Sequence, residues 1–278
     1  MVDIIICSSS DITASEALEL NVLFAPLEVN IDGTWYRDGI DLSAKEFNDR
    51  LESLETIPTT SQVTPHVFEE LYKQVKEEAV VITISKELSG TYQSAIFAKE
   101  GFNNIYVVDS TSGSIGEKIL VQRALELREQ GLSAKEIAEI LNVEKKDIRF
   151  IGVLDSLKYL SKGGRLSKTQ AAIGGLIKIK PVLALESGKI QVLGKARGPK
   201  KAGNFLFEYV ENSGGIDFDR PLAIGYSGKD KSIVKTYIEG SHILYEGKID
   251  ILPVCLTGSV IGTHAGPNAA LFAYFVKK

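Results

Sequence analysis

The chain has 278 residues, 44% hydrophobic and 24% charged, which is enough to bury a large core in two domains or one large α/β unit. No run reaches the roughly 18 consecutive apolar residues of a membrane span, and the opening MVDIIICSSSD lacks the features of a secretory leader, so a cytoplasmic protein is expected. A formal net charge of −4, with acids and bases intermixed, leaves no basic stripe for nucleic acid.

Strand-length apolar runs alternate with helical patterns through the first half. Asp3–Cys7 reads as a strand, Thr13–Leu20 as a helix and Val22–Ile31 as a strand ending at an Asp32-Gly33 turn. Helices are expected over Ser43–Glu52 and Thr64–Glu78, then a strand over Ala79–Ile84, a helix after Ser89 and a strand over Ile105–Asp109. Such alternation predicts an α/β/α layer around a parallel sheet for residues 1–150.

The texture changes near residue 150, and a second α/β domain with a mixed or antiparallel sheet is expected over 151–278. Ile179–Leu185 and Ile190–Ala196 flank Glu186-Ser187-Gly188-Lys189 as a hairpin. A helix near Lys200–Asn212, strands over Leu222–Tyr226 and Asp250–Cys255, and a last helix after Pro267 complete the expectation. Cys7 and Cys255 lie in apolar runs without histidines at metal-ligand spacing, and read as buried thiols.

Three polar groups fall at the ends of predicted elements. Thr59-Thr60-Ser61-Gln62 precedes Thr64-Pro65, a cap and first-turn pair. Turn and capping chemistry accounts for any one of these hydroxyls, but not for three in a row with a glutamine. Leu88-Ser89-Gly90-Thr91 stands where a strand hands over to a helix, a place that suits an anion, although an N-cap serine explains it equally. Ile261-Gly262-Thr263-His264-Ala265-Gly266-Pro267 combines a histidine with glycines and a proline expected to open a helix. His66 and His242 lack such a context and read as structural. There is no G-x-x-x-x-G-K-[ST] loop, no H-E-x-x-H pair and no G-x-S-x-G elbow. The residues alone therefore indicate an α/β protein with hydroxyl-rich and histidine anion sites, no metal and no cofactor.

TTSQ (59–62), LSGTYQSA (88–95), LKYLSKGGRL (157–166) and IGTHAGP (261–267), with Asp109-Ser110 and the Lys195–Lys201 segment, resemble the blocks of the DegV family in the same order along nearly the whole chain. The resemblance implies a long-chain fatty acid between two domains, its carboxylate held by Thr60, Ser89 and His264. Ser61, Gln62, Gly90, Thr91, Thr263 and Gly266 would support those loops. Arg165 and Arg197 resemble family arginines near the carboxylate mouth or the surface that faces a separate ATP-dependent fatty acid kinase, which forms the acyl phosphate for phospholipid synthesis. Lys200 and Lys201 would attract an acidic partner. The chain itself would be a carrier and not an enzyme, and transient contact with a membrane surface stays open.

The stretch Ala171–Ile177 offers small and aliphatic residues as a wall for the tail. Departures from the family pattern are Cys7 in place of Asp, Val63 in place of Pro and Asn268 in place of Gly, the last expected to alter a helix start beside His264. The helix between the Thr60 and Ser89 blocks also looks shorter than usual. Two alternatives stand beside the carrier: an esterase or acyltransferase with Ser89 as nucleophile and His264 as base, and a kinase or sensor for a small polar metabolite, by fold analogy with dihydroxyacetone-kinase domains.

Overall fold

In the DIIIC run of β1 (Asp3–Cys7) every residue after Asp3 is buried, as a strand covered on both faces requires. The computed structural model, which describes residues 2–166 and 180–278, places β1 inside a four-stranded parallel sheet of order β2-β1-β6-β7. Its other strands are β2 (Leu23–Ala25), β6 (Ala79–Thr83) and β7 (Ile105–Asp109). Helices α3 (Pro65–Tyr72) and α4 (Thr91–Ala98) cover one face through Phe68, Tyr72 and Ala95. α5 (Ile115–Glu129) covers the other with Ile119, Leu120 and Ala124, and α6 (Ala134–Glu144) packs beside it.

Helix α5 also packs on the inner face of a second, six-stranded sheet, of order β10-β9-β8-β13-β11-β12. This sheet contains β8 (Ile148–Val153), β9 (Lys180–Glu186), β10 (Lys189–Ala196), β11 (Leu222–Tyr226), β12 (Val254–Leu256) and β13 (Ala270–Phe275). All its pairings are antiparallel except β11 with β12. Helices α8 (Gly198–Asn212) and α9 (Ser232–Gly240) form a second core on the outer face. Residue 150, where the sequence texture changes, falls inside β8. The expected hairpin is present, its turn built on Ser187 at φ 50° and Gly188 at φ 82°.

Several elements differ from the sequence reading. Val22–Ile31 is two strands, because Pro26 cannot donate to a ladder and the chain leaves the parallel sheet there. β3 (Glu28–Ile31) instead joins β4 (Thr34–Arg37) and β5 (Thr59–Ser61) in a small antiparallel sheet that the sequence did not announce. α1 (Ala14–Glu19) and α2 (Ala44–Arg50) match expectation, whereas α3 stops at Tyr72, short of Glu78. α7 (Lys158–Lys162) carries the LKYLSKGGRL block.

The largest correction concerns the chain's last segment. Residues 270–275 form no helix: they are β13, wholly buried between β8 and β11. A short, continuous apolar run does not distinguish a buried strand from a helix. The helix of this region comes earlier, as α10 (Ser259–Ala265), and Gly266-Pro267 ends it. Gly266 is the C-cap, at φ 72° and ψ 179°, a conformation essentially reserved for glycine. Asn268, at φ 58°, therefore starts no helix; its side-chain amide donates to Glu52.

The ring of Tyr159 lies where a Cβ on Gly266 would stand, 2.4 Å from its nearest atom. Gly266→Ala is accordingly expected to destabilise the protein by about 1–3 kcal/mol through strain and overpacking together. A urea midpoint equal to that of the wild type would contradict this account.

Candidate functional site

Loops at the carboxyl ends of β6 and β7, the strand β5, helix α10 and the inner face of the six-stranded sheet enclose a cavity of about 820 Å³, counted to its open mouth. Most of the wall is aliphatic or aromatic, including Phe150, Leu154 and Leu160, with Leu183, Leu185 and Ile190 from the hairpin. One set of polar side chains interrupts it: Thr60, Ser61, Ser89, His264 and Arg165, with Ser114 further along the β7 loop.

β5 is an edge strand whose Thr60 pairs with Val29 of β3, and this register presents Thr60 to the last turn of α10. Thr60 Oγ1 and His264 Nε2 are 2.9 Å apart across 204 residues of sequence. The backbone of Gly163 packs on the other side of the imidazole, where a Cβ would come within 2.4 Å of Nδ1, and Nδ1 is buried without a partner. A buried N–H without an acceptor is costlier than a bare lone pair, which assigns the proton to Nε2. His264 then donates to Thr60, and the Thr60 hydroxyl hydrogen is left for the cavity.

Ser89 follows the same logic in the other loop. It is not the N-cap of α4, a position taken by Gly90. Its hydroxyl lies 2.9 Å from Thr91 Oγ1 and accepts from the Thr91 N–H, while Thr91 Oγ1 accepts from the Val63 N–H. Thr91 thus bridges the two hydroxyl-bearing segments, and when its hydroxyl donates to Ser89 the Ser89 hydrogen is left for the cavity. Gln62 lies over Gly90, where a Cβ would stand 2.0 Å from Gln62 Oε1, and its amide donates to Ser94. Gly90 and Gln62 therefore fit the loops together without facing the cavity.

Arg165 donates to the carbonyls of Leu88 and Gly163, and among the described residues it meets no carboxylate. Burial pushes its guanidinium down from the ordinary range. Burial, with the Arg165 charge added, pulls the His264 imidazole down to about 4, so this ring is neutral at physiological pH. The Thr60 and Ser89 hydroxyls, a neutral imidazole and a positive charge without a carboxylate partner among the described residues thus stand together on the cavity wall; apart from Ser61 and Ser114 the remaining lining side chains are apolar. The arrangement suits an anion at one end and an apolar chain along the remainder.

Other expected positions fall elsewhere. Arg197 is exposed just before α8, and it does not line the cavity. Thr263 is buried with its hydroxyl unpartnered, away from the lining, and Gly266 acts only as the helix end. His66 and His242 are both exposed, so neither is a packed structural histidine. Cys7 is fully buried, but Cys255 is only partly covered. Residues 171–177 lie outside the described residues.

Sequence reasoning missed the hairpin as a wall, although its alternating leucines carried the signal. It also missed the fastening of that hairpin to the Ser89 loop: Ser85 donates to the Gly188 carbonyl at 2.9 Å, and Lys189 pairs with Glu87.

With this architecture and cavity, the molecule falls in the class of two-sheet α/β proteins that enclose a ligand space between the sheets. A family model described as an uncharacterised protein of the DegV family matches residues 1–277. A DegV domain-containing protein of Caldanaerobacter subterraneus is 38% identical over 95% of this chain and 94% of its own. The chain belongs to the DegV family. Among solved structures, a DegV family protein from Thermus thermophilus described for its fatty acid binding superposes with a TM-score of 0.87 at 31% identity, covering 99% of this chain and all of the other. A stearic acid-binding protein from Eubacterium ventriosum gives 0.86 at 26% identity, covering 99% and 98%. DegV of Bacillus subtilis, a fatty acid binding protein, gives 0.83 at 28% identity, with 99% of each chain covered.

A histidine depressed to about 4 in the folded protein, against about 6.5 unfolded, favours the fold above pH 6.5 and loses that contribution as pH falls toward 4. Comparing urea midpoints of the wild type and His264→Gln from pH 7 to pH 4, we expect the wild type to lose up to about 3 kcal/mol more than the variant. Identical pH slopes would contradict the burial of a neutral His264.

Proposed function

We infer that the protein binds one long-chain free fatty acid, with its carboxylate at Thr60, Ser89 and His264 and its tail along the apolar wall. The observation that carries this reading is the partition of the cavity into a largely apolar length and one group of hydroxyls, a neutral imidazole and Arg165, which among the described residues meets no carboxylate. The fatty-acid-binding relatives support the ligand class. In this reading residues 1–150 supply Thr60 and Ser89, residues 151–278 supply His264 and Arg165, and the ligand lies between them. The carrier works in the cytoplasm and presents the carboxylate to a separate ATP-dependent fatty acid kinase, where Arg165 screens charge as an acyl phosphate forms. Among the described residues no helix is long and apolar enough to cross a membrane.

An esterase reading receives less support. His264 Nε2 faces Thr60 while Ser89 pairs with Thr91, and among the described residues no carboxylate orients Nδ1, which packs on Gly163.

A tail of about 14 methylenes at about 0.8 kcal/mol each offers roughly 11 kcal/mol as an upper bound, against about 1.5–3 kcal/mol for a hydrogen bond to a charged group. Tail burial therefore dominates retention, and the polar end fixes direction. Solvent extraction of protein purified without added lipid, followed by mass spectrometry, is expected to yield one near-stoichiometric fatty acid. Traces only, with no rebinding of C14 to C18 acids after delipidation, would overturn the reading. His264→Ala is expected to impair acyl phosphate formation by an added kinase more than it impairs lipid retention; equal losses would contradict the division of labour.

A further inference from the structure

Helix α10 has seven residues, too few to persist on their own, yet it carries Val260, Ile261 and His264 into the cavity. Its entry is held by side chains from the opposite end of the sequence. Asp11, in the loop after β1, accepts the Gly258 N–H at 2.8 Å. Asp38, just after β4, accepts the Ser259 N–H at 2.8 Å and the Ser259 hydroxyl at 2.6 Å. Asn48 of α2 donates to the Thr257 carbonyl at 2.9 Å. A Cβ on Gly258 would stand 3.1 Å from Asp38 Oδ2 and 3.5 Å from Asp11 Oδ1, so both carboxylates close on the bare main chain.

An ordinary helix start is served by one capping side chain. Here two carboxylates are buried together, Asp11 at 5% and Asp38 at 2% exposure, where desolvation works against each charge. Burial pushes both carboxyls up, Asp11 to about 7. Neither lines the cavity, but Asp11 also accepts from Ser114, which does. An arrangement this costly exceeds what a cap requires. It matches what the other end of α10 demands, where His264 must meet Thr60 within hydrogen-bond distance.

We propose that Asp11 and Asp38 are positioning residues for the carboxylate site: they hold the first turn of α10 from the first half of the chain and so set His264 against Thr60 and Ser89. The proposal rests on the fatty-acid reading and assigns its head-group geometry to side chains that never touch the ligand.

The test compares palmitate with hexadecanol, which share a tail and differ in head group, on delipidated protein. Asp38→Ala and Asp11→Ala are each expected to lose on the order of tenfold in preference for palmitate, as His264→Ala does, with hexadecanol affinity within about twofold of wild type. Asp38→Asn keeps an acceptor for the Ser259 N–H and is expected to restore most of the preference. Asp38→Ala combined with His264→Ala should be no worse than His264→Ala alone, because the aspartate acts through the histidine. If the alanine variants do not fold, Gly258→Ala, which presses on Asp38, is expected to give the same loss of preference. Equal losses for both ligands, additive losses in the double variant, or full retention of the preference would each overturn the proposal. A wild type that binds hexadecanol but does not prefer palmitate would instead remove the carboxylate reading itself, and this proposal with it.

Discussion

Thr60 and His264 share a hydrogen bond across 204 residues, and the cavity's geometry depends on that closure. Neither residue is placed by its own neighbourhood alone. Thr60 sits on a three-residue edge strand whose partner, β3, exists because Pro26 turns the chain out of the parallel sheet. His264 sits on a helix that comes late in the sequence and packs against α2, α7 and β3. The polar end is therefore a tertiary product, assembled where two sheets and a small third one converge on the same space.

The electrostatics of that end follow from how Arg165 is held. A cation facing a carboxylate of its own protein would already be neutralised. Arg165 instead spends its donors on the carbonyls of Leu88 and Gly163 and leaves its charge uncompensated among the described residues. The same charge, together with burial, keeps His264 neutral. Acids do lie nearby in the fold, but Asp11 and Asp38 are turned toward the far end of α10. The helix thus separates the carboxylates at its start from the neutral imidazole and the Arg165 charge near its finish.

Much of this was legible in the sequence where the signal was local. The buried runs of β1, β6 and β7, and the hairpin with Ser187-Gly188 at its turn, follow from apolar length and turn chemistry. The 59–62 hydroxyls, Ser89 and His264 were visible as polar groups at element ends, but it was the resemblance to the DegV family that singled out Thr60, Ser89 and His264. The misses have one common cause: a signal whose meaning depends on distant partners. Gly266-Pro267 punctuates a helix equally well at either end, and only the burial of Ala270–Phe275 between β8 and β11 shows that α10 precedes it. Asp11 and Asp38 carry no local pattern, since the amides they serve lie more than 200 residues away. Thr263, placed among the supporting residues by its block, faces away from the cavity on the same short helix.

The position of β13 also bears on the order in which the molecule can be made. The parallel sheet draws only on residues up to Asp109, so it can assemble while later residues are still being synthesised. The six-stranded sheet cannot, because β13 is an interior strand between β8 and β11. Until residues 270–275 are available, β8 and β11 each lack the partner that β13 supplies. Pairings of such long sequence separation form slowly, and exposed edges of this kind invite association with other chains. The cavity itself, which Leu271 of β13 helps to line, is closed by one of the last strands to arrive.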